Sequence, residues 1–150
     1  MEARCQCFQI QFTTPLPQPI KVYVCHCNEC RHQSSSAYGL TALFPSFEIA
    51  DPNPKTSPGQ ADSAIGIYTR RTLRGRDLEC LFCRNCGARL IHRVRGESTL
   101  SVRAGCLLGL TKDMMANAVH IWCSEAVVEI PPGVERWDEG PAGDTAKYKD

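Results

Sequence analysis

The stretch CHCNECR places Cys25, Cys27 and Cys30 within six positions, with His26 between the first two. Three thiols so close can form disulfides, hold a structural metal, or hold a metal that does chemistry. A second group, Cys83-Arg84-Asn85-Cys86-Gly87, has the form of a zinc knuckle. In a knuckle the chain turns tightly so that both sulfurs face one ion, and the glycine permits the turn. Cys80-Leu81-Phe82-Cys83 repeats the spacing but is followed by Arg84, which favours 83/86 as the pair. A knuckle supplies two ligands where structural zinc takes four. Cys5-Gln6-Cys7 can supply the other two, pinning the N-terminal strand to the middle of the chain.

That assignment leaves Cys25, Cys27 and Cys30 as a set of three. Three thiolates with an empty or water-filled fourth position is the general form of a reactive zinc site. A substrate can bind such a metal directly, and a bound thiol is deprotonated at neutral pH. The alternative is a second structural site completed by His26, His32 or one of the remaining cysteines. His26, between two ligands, is expected to point away from their metal into packing or a hydrogen bond. Cys80, Cys106 and Cys123 lie in apolar, strand-like surroundings and read as small core hydrophobes. Cys106 follows a glycine at a strand end, which leaves a role at the site open for it. The expectation is two zinc ions per chain, one closed and one open.

The elements that must position these groups are short. Strict apolar/polar alternation marks strands at 8–12, 21–24, 64–68, 90–94, 99–103, 119–122 and 127–130. Asn28 to Gln33 can form a turn or two of helix behind the cysteine cluster. Thr111 to Ala118 can form another, with Thr111 as its cap. Seven short strands and no long amphipathic helix predict an all-β domain. Residues 50–63, with three prolines and a glycine, read as a long exposed loop. The domain is expected to span 1–138, with 139–150 as a fraying polar tail.

Composition narrows the function. Ten cysteines in 150 residues would suit a disulfide scaffold in a secreted protein. The opening MEARCQCFQIQF, however, lacks the continuous apolar run of a signal peptide, and no run of 18 apolar residues suggests a membrane span. A reducing, cytoplasmic setting is therefore expected, where clustered cysteines mean metal or catalysis more than disulfides. The net charge of +1 gives no reason to expect nucleic acid or an anionic membrane, although Arg70, Arg71, Arg74 and Arg76 form a local basic run.

Cys-x-Cys near the N-terminus, CHCNECRHQSSSAYG, LFCRNCGARL, SVRAG and HIW together resemble the glutathione-dependent formaldehyde-activating enzyme family, which also contains centromere protein V. The resemblance runs from about Cys5 to Pro141, and the C-terminal HIWCSEAVVEIPPGVERWDEGP is most similar to fungal members. It implies an all-β fold of several small antiparallel sheets, similar to methionine sulfoxide reductase B. It implies a structural zinc on Cys5, Cys7, Cys83 and Cys86 and a catalytic zinc on Cys25, Cys27 and Cys30. It implies a carbon–sulfur lyase reaction that joins glutathione to formaldehyde, run in either direction. Phe8 replaces the usual glycine after the first Cys-x-Cys, Ser34-Ser35-Ser36 replaces Ser-Gly-Ser, and Gly105-Cys106-Leu107-Leu108 replaces Gly-Thr-Leu-Asp. The last two lie in segments that could shape a substrate pocket. Arg31 and Arg103, with Arg70 and Arg71, are the candidate partners for glutathione carboxylates, since the guanidinium fork matches a carboxylate. Two other readings stand beside the lyase. One is a glutathione-independent zinc Lewis-acid enzyme of fungal secondary metabolism, with the 50–63 loop as a lid. The other is a non-catalytic zinc-binding module. A homodimer is left open.

Overall fold

The computed structural model of the protein describes residues 1–53, 55–72 and 75–140. Ten strands and two short helices follow one another along the chain. The strands are β1 (Glu2–Arg4), β2 (Gln11–Thr13), β3 (Lys21–Cys25), β4 (Gly39–Pro45), β5 (Ile65–Arg71), β6 (Asp77–Cys83), β7 (Arg89–Val94), β8 (Thr99–Arg103), β9 (Val119–Ile121) and β10 (Arg136–Trp137). The helices are α1 (Asn28–Ser34), between β3 and β4, and α2 (Lys112–Ala116), before β9. The fold is all-β, as the alternation predicts. Eight strands join a single sheet in the order β10-β9-β3-β4-β8-β7-β6-β5, and β1 and β2 form a separate hairpin. Pairing is antiparallel except for β3 with β9 and β9 with β10.

Five of the seven expected strands coincide with β3, β5, β7, β8 and β9. Residues 8–12 do not form one strand. The chain turns back between Cys5 and Ile10, where Cys5 N donates to Ile10 O at 3.0 Å, so that β1 and β2 flank the turn as a hairpin. Residues 127–130 alternate but pair with nothing among the described strands, and Val127 and Val128 are exposed. β4 and β6 carry no clean alternation because each has apolar residues on both faces. Around Leu81, for example, both Cys80 and Leu81 are buried.

One face of the large sheet, with the β1–β2 hairpin packed on it, is the core. Phe44, Ile65, Leu81, Leu90, Ile91 and Val102 are all at most 1% exposed there. Each contributes roughly 1.5–3 kcal/mol of burial. The opposite face is polar and half-covered. Tyr68, Cys80, His92 and Ser101 are cross-strand neighbours there on β5, β6, β7 and β8, and α1 lies over it.

Thr111 caps α2 as expected, its Oγ1 accepting from Met114 N at 3.2 Å. The 50–63 loop is closed at its neck, where Ser63 Oγ donates to the Asp51 carboxylate. At the C-terminal end Glu139 O accepts from Trp122 N at 2.9 Å and Gly140 is buried. Of the expected tail, positions 141–150 lie outside the described residues.

Candidate metal centres

Two groups of thiols converge. The Sγ atoms of Cys5, Cys7, Cys83 and Cys86 lie within 4.8 Å of one another, and so do those of Cys25, Cys27 and Cys30. Among the described residues no histidine, aspartate, glutamate or further cysteine joins either group.

The four-cysteine group is built from two hairpin turns. In the first, between β1 and β2, Cys5 Sγ accepts from Ile10 N at 3.3 Å and lies 3.5 Å from Cys7 Sγ. In the second, between β6 and β7, Gly87 takes φ +74° and its N–H returns to Cys83 O at 2.9 Å. Cys7 Sγ and Cys83 Sγ are 3.7 Å apart. Four sulfurs around a tetrahedral zinc at 2.3 Å would be separated by about 3.8 Å, so this donor set fits such an ion. Hydrogen bonds from Asn85 and from the Gln9 backbone hold the Cys7 thiol down at about 6. The Cys83 thiol is pushed up to about 12, chiefly by burial.

The three-cysteine group sits at the far end of β3. Cys25 closes that strand, hydrogen-bonded in register between Gly39 of β4 and Ile121 of β9. Cys27 is the N-cap of α1, its sulfur accepting from Cys30 N at 3.4 Å. Cys30 follows one turn later, and Cys25 and Cys27 are 3.4 Å apart at sulfur. His26 turns away from them, as its position between two ligands suggests. Its Nε2 meets His120 Nδ1 at 3.0 Å in a buried pair, and burial holds both imidazoles below their usual range.

A family model for the glutathione-dependent formaldehyde-activating enzyme matches residues 1–125. The chain belongs to that family. The crystal structure of a Rhodobacter sphaeroides protein, a structural-genomics target, superposes on 80% of this chain and 99% of its own. The TM-score is 0.53 at 15% sequence identity, which shows a shared fold. No curated protein matches the sequence.

Hydrogen bonds donated by Cys25 and Cys27 hold the Cys30 thiol down at about 3 against its burial, with Arg103 adding to the effect. Cys25 is pushed far up by donating to Cys27 and Cys30 and by burial. Three convergent thiols form a donor set suited to a divalent cation, which would take all three as thiolates.

Of the two arginines proposed for carboxylates, the fold brings Arg103 beside the trio. A Cβ on Gly39 would sit 2.7 Å from Arg103 Nη2 and 3.3 Å from Cys30 Sγ. Arg103 is 8% exposed and donates to Thr41 Oγ1 at 2.7 Å. Arg31 instead turns back along α1 to Asn28 Oδ1. Of the basic run, Arg70 lies 3.8 Å from Glu29, Arg71 Nε donates to Gly75 O and Arg76 pairs with Glu97, while Arg74 lies outside the described residues.

Gln33, Gly39, Thr41 and His92 escaped the sequence reading. Gln33 could have been found at i+3 from Cys30, on the same helical face. His92 is a polar residue in LIHRV whose side chain faces away from the core, under α1.

None of the leftover cysteines joins either group. Cys80 is buried on β6, the Cys106 sulfur donates to Arg89 O at 3.0 Å, and Cys123 lies in a 3₁₀ turn rather than a strand. The 50–63 loop also falls elsewhere than its suggested role as a lid requires. It lines a cleft of about 570 Å³ with Gln9, Arg84 and Asn85, beside the four-cysteine group rather than the trio. No helix among the described residues is long and apolar enough to cross a membrane.

Proposed function

We propose that the protein is a zinc-dependent carbon–sulfur lyase, adding a thiol, with glutathione the leading candidate, to a small carbonyl compound and reversing that addition. The observation that carries this reading is the convergence of three thiols without a fourth protein ligand among the described residues. A separate set of four converges elsewhere, in a chain of this family. Cys25, Cys27 and Cys30 would hold the catalytic zinc, which supplies a Lewis-acidic position where an exogenous thiol ionises at neutral pH. Cys5, Cys7, Cys83 and Cys86 would hold a structural one.

The chain's own share is positional. The end of β3 and the first turn of α1 fix the three sulfurs on one side, leaving the other for substrate. The substrate thiol gives up its proton, and its sulfur pair forms the new bond to the carbonyl carbon. The carbonyl π pair moves onto oxygen, which takes up a proton. In the lyase direction the same C–S bond breaks with those transfers reversed. Arg103 is committed inward, so glutathione carboxylates would be met by Arg70, which lies 3.8 Å from Glu29 of α1, or by Arg31 swinging from Asn28 on the same helix.

Metal analysis and the lyase assay test this together. Wild type should carry two zinc ions and exchange formaldehyde with glutathione, followed by NMR of the hydroxymethyl carbon. Cys27→Ser should keep its circular dichroism, carry one zinc and lose the activity, while Cys86→Ser should fail to fold. A wild type with one zinc, or activity that survives Cys27→Ser, would overturn the reading. Activity with other thiols but not glutathione would leave the centre and remove its co-substrate.

A further inference from the structure

Arg93 and Arg103 of the large sheet are largely buried, and they are neutralised differently. Arg93 lies between two carboxylates, Glu79 at 2.9 Å and Glu48 at 2.6 Å. Arg103 has no carboxylate partner among the described residues. Its neighbours are neutral: Thr41 Oγ1 at 2.7 Å and the amide of Gln33. With the Gln33 oxygen toward Arg103, that oxygen accepts from Nη1 at 3.2 Å and Nη2 at 3.3 Å, and the amide NH2 donates to His92 Nε2 at 3.0 Å. The opposite orientation would bring the NH2 to 3.7 Å from Cys30 Sγ but would face donors with donors at Arg103, so the first is preferred. His92, held down at about 3 chiefly by burial, is neutral and able to accept. A buried guanidinium without an anion is costly, so its counter-charge must come from another group nearby. Gly39, having no side chain, lets it approach Cys30. Arg103 Nη2 and Cys30 Sγ lie no more than about 6 Å apart, within the range where opposite charges stabilise each other's ionised forms.

We infer that Arg103, held by Thr41 and by Gln33 on His92, is the fixed counter-charge of the three-cysteine centre and makes its fourth position favour an anionic ligand, a thiolate, over a neutral one. This rests on the proposed divalent metal in the trio. Three thiolates and a divalent ion carry one net negative charge, which Arg103 cancels. A thiolate then enters a neutral environment instead of a negative one. Arg103 is a positioning residue, acting on the ligand through charge alone.

Cobalt-substituted protein tests this by its visible spectrum, titrated with 2-mercaptoethanol and, separately, with imidazole. Arg103→Gln should weaken thiol binding by at least about tenfold, the low end of the effect of a nearby opposite charge. Imidazole affinity should change by less than about threefold. Arg103→Lys should recover most of the thiol affinity, and Gln33→Leu, which leaves the guanidinium in place but unbraced, should fall between. Equal losses for both ligands, or no loss in Arg103→Gln, would overturn the inference. Should Arg103→Gln not fold, Arg103→Lys and Gln33→Leu decide: thiol and imidazole weakened alike in both would overturn it as well. A wild type that takes one cobalt instead of two would refute the underlying metal reading, a result distinct from either.

Discussion

Phe8 and Ser35 occupy backbone that disfavours a side chain. Phe8 has φ +66° in the first cysteine turn, and Ser35 has φ 49° and ψ 40° at the C-terminal end of α1. These are the positions where the family pattern has glycine, so the local shape is kept while the residue that adopts it freely is lost. The left-handed conformation costs an ordinary residue about 1–2 kcal/mol. Phe8 offsets part of that through its ring, over which the Arg4 guanidinium sits at 3.7 Å. Comparing Phe8→Gly with Phe8→Ala isolates the backbone, since both lose the ring. Chemical denaturation should find the glycine variant more stable by about 1 kcal/mol. Ser35→Gly should stabilise the protein by about 0.5–1 kcal/mol without changing its metal content.

At the scale of elements, the contact between α1 and the sheet decides whether the trio forms. Gly39 faces Cys30 of α1 and Arg103 at that contact. An alanine Cβ there would fall 2.7 Å from Arg103 Nη2 and 2.9 Å from Cys30 Cβ. Gly39→Ala should therefore lose most of the metal of the trio while the four-cysteine group keeps its own. Metal analysis would read this as a fall from two ions to about one with the fold intact. Beneath the helix, His92 links stability to pH. Below the ordinary histidine value near 6.5 the unfolded chain takes up a proton that the folded one refuses down to about 3. Acid therefore favours unfolding through this residue, by about 1.4 kcal/mol per pH unit. Between pH 7.5 and 5, wild type should lose on the order of 2 kcal/mol more than His92→Gln. Thiolate protonation is common to both proteins, so the difference isolates the imidazole. Equal losses would mean that His92 takes its proton in place.

For the whole molecule, the pattern of cysteines announces both centres because ligand spacing is local within each segment. The knuckle at 83–86 and the cluster at 25–30 are each compact in sequence, and the fold brings in Cys5 and Cys7 on a second turn of the same kind. Strands with one wet face, such as β7 and β8, show in their alternation. β4 and β6 do not, because each carries apolar residues on both faces, as with the buried neighbours Cys80 and Leu81 of β6, and loses the period of two. The braces of the trio are hidden for a different reason. Gln33, Thr41, His92 and Arg103 come from one helix and three strands, and only the sheet order β4-β8-β7 beneath α1 sets them side by side. A buried arginine with no acid near it in sequence looks like any surface arginine until the topology is known.

In the proposed function one centre is closed by protein and the other leaves a place for a thiol. Cadmium-113 NMR of the fully substituted protein tests it most directly, because the shift reports the number of coordinating sulfurs. Two resonances are expected. One should fall in the four-sulfur range and stay unmoved by glutathione; the other should fall in the three-sulfur range and move toward four as glutathione is added. A single resonance, or two four-sulfur resonances before any thiol is present, would contradict it.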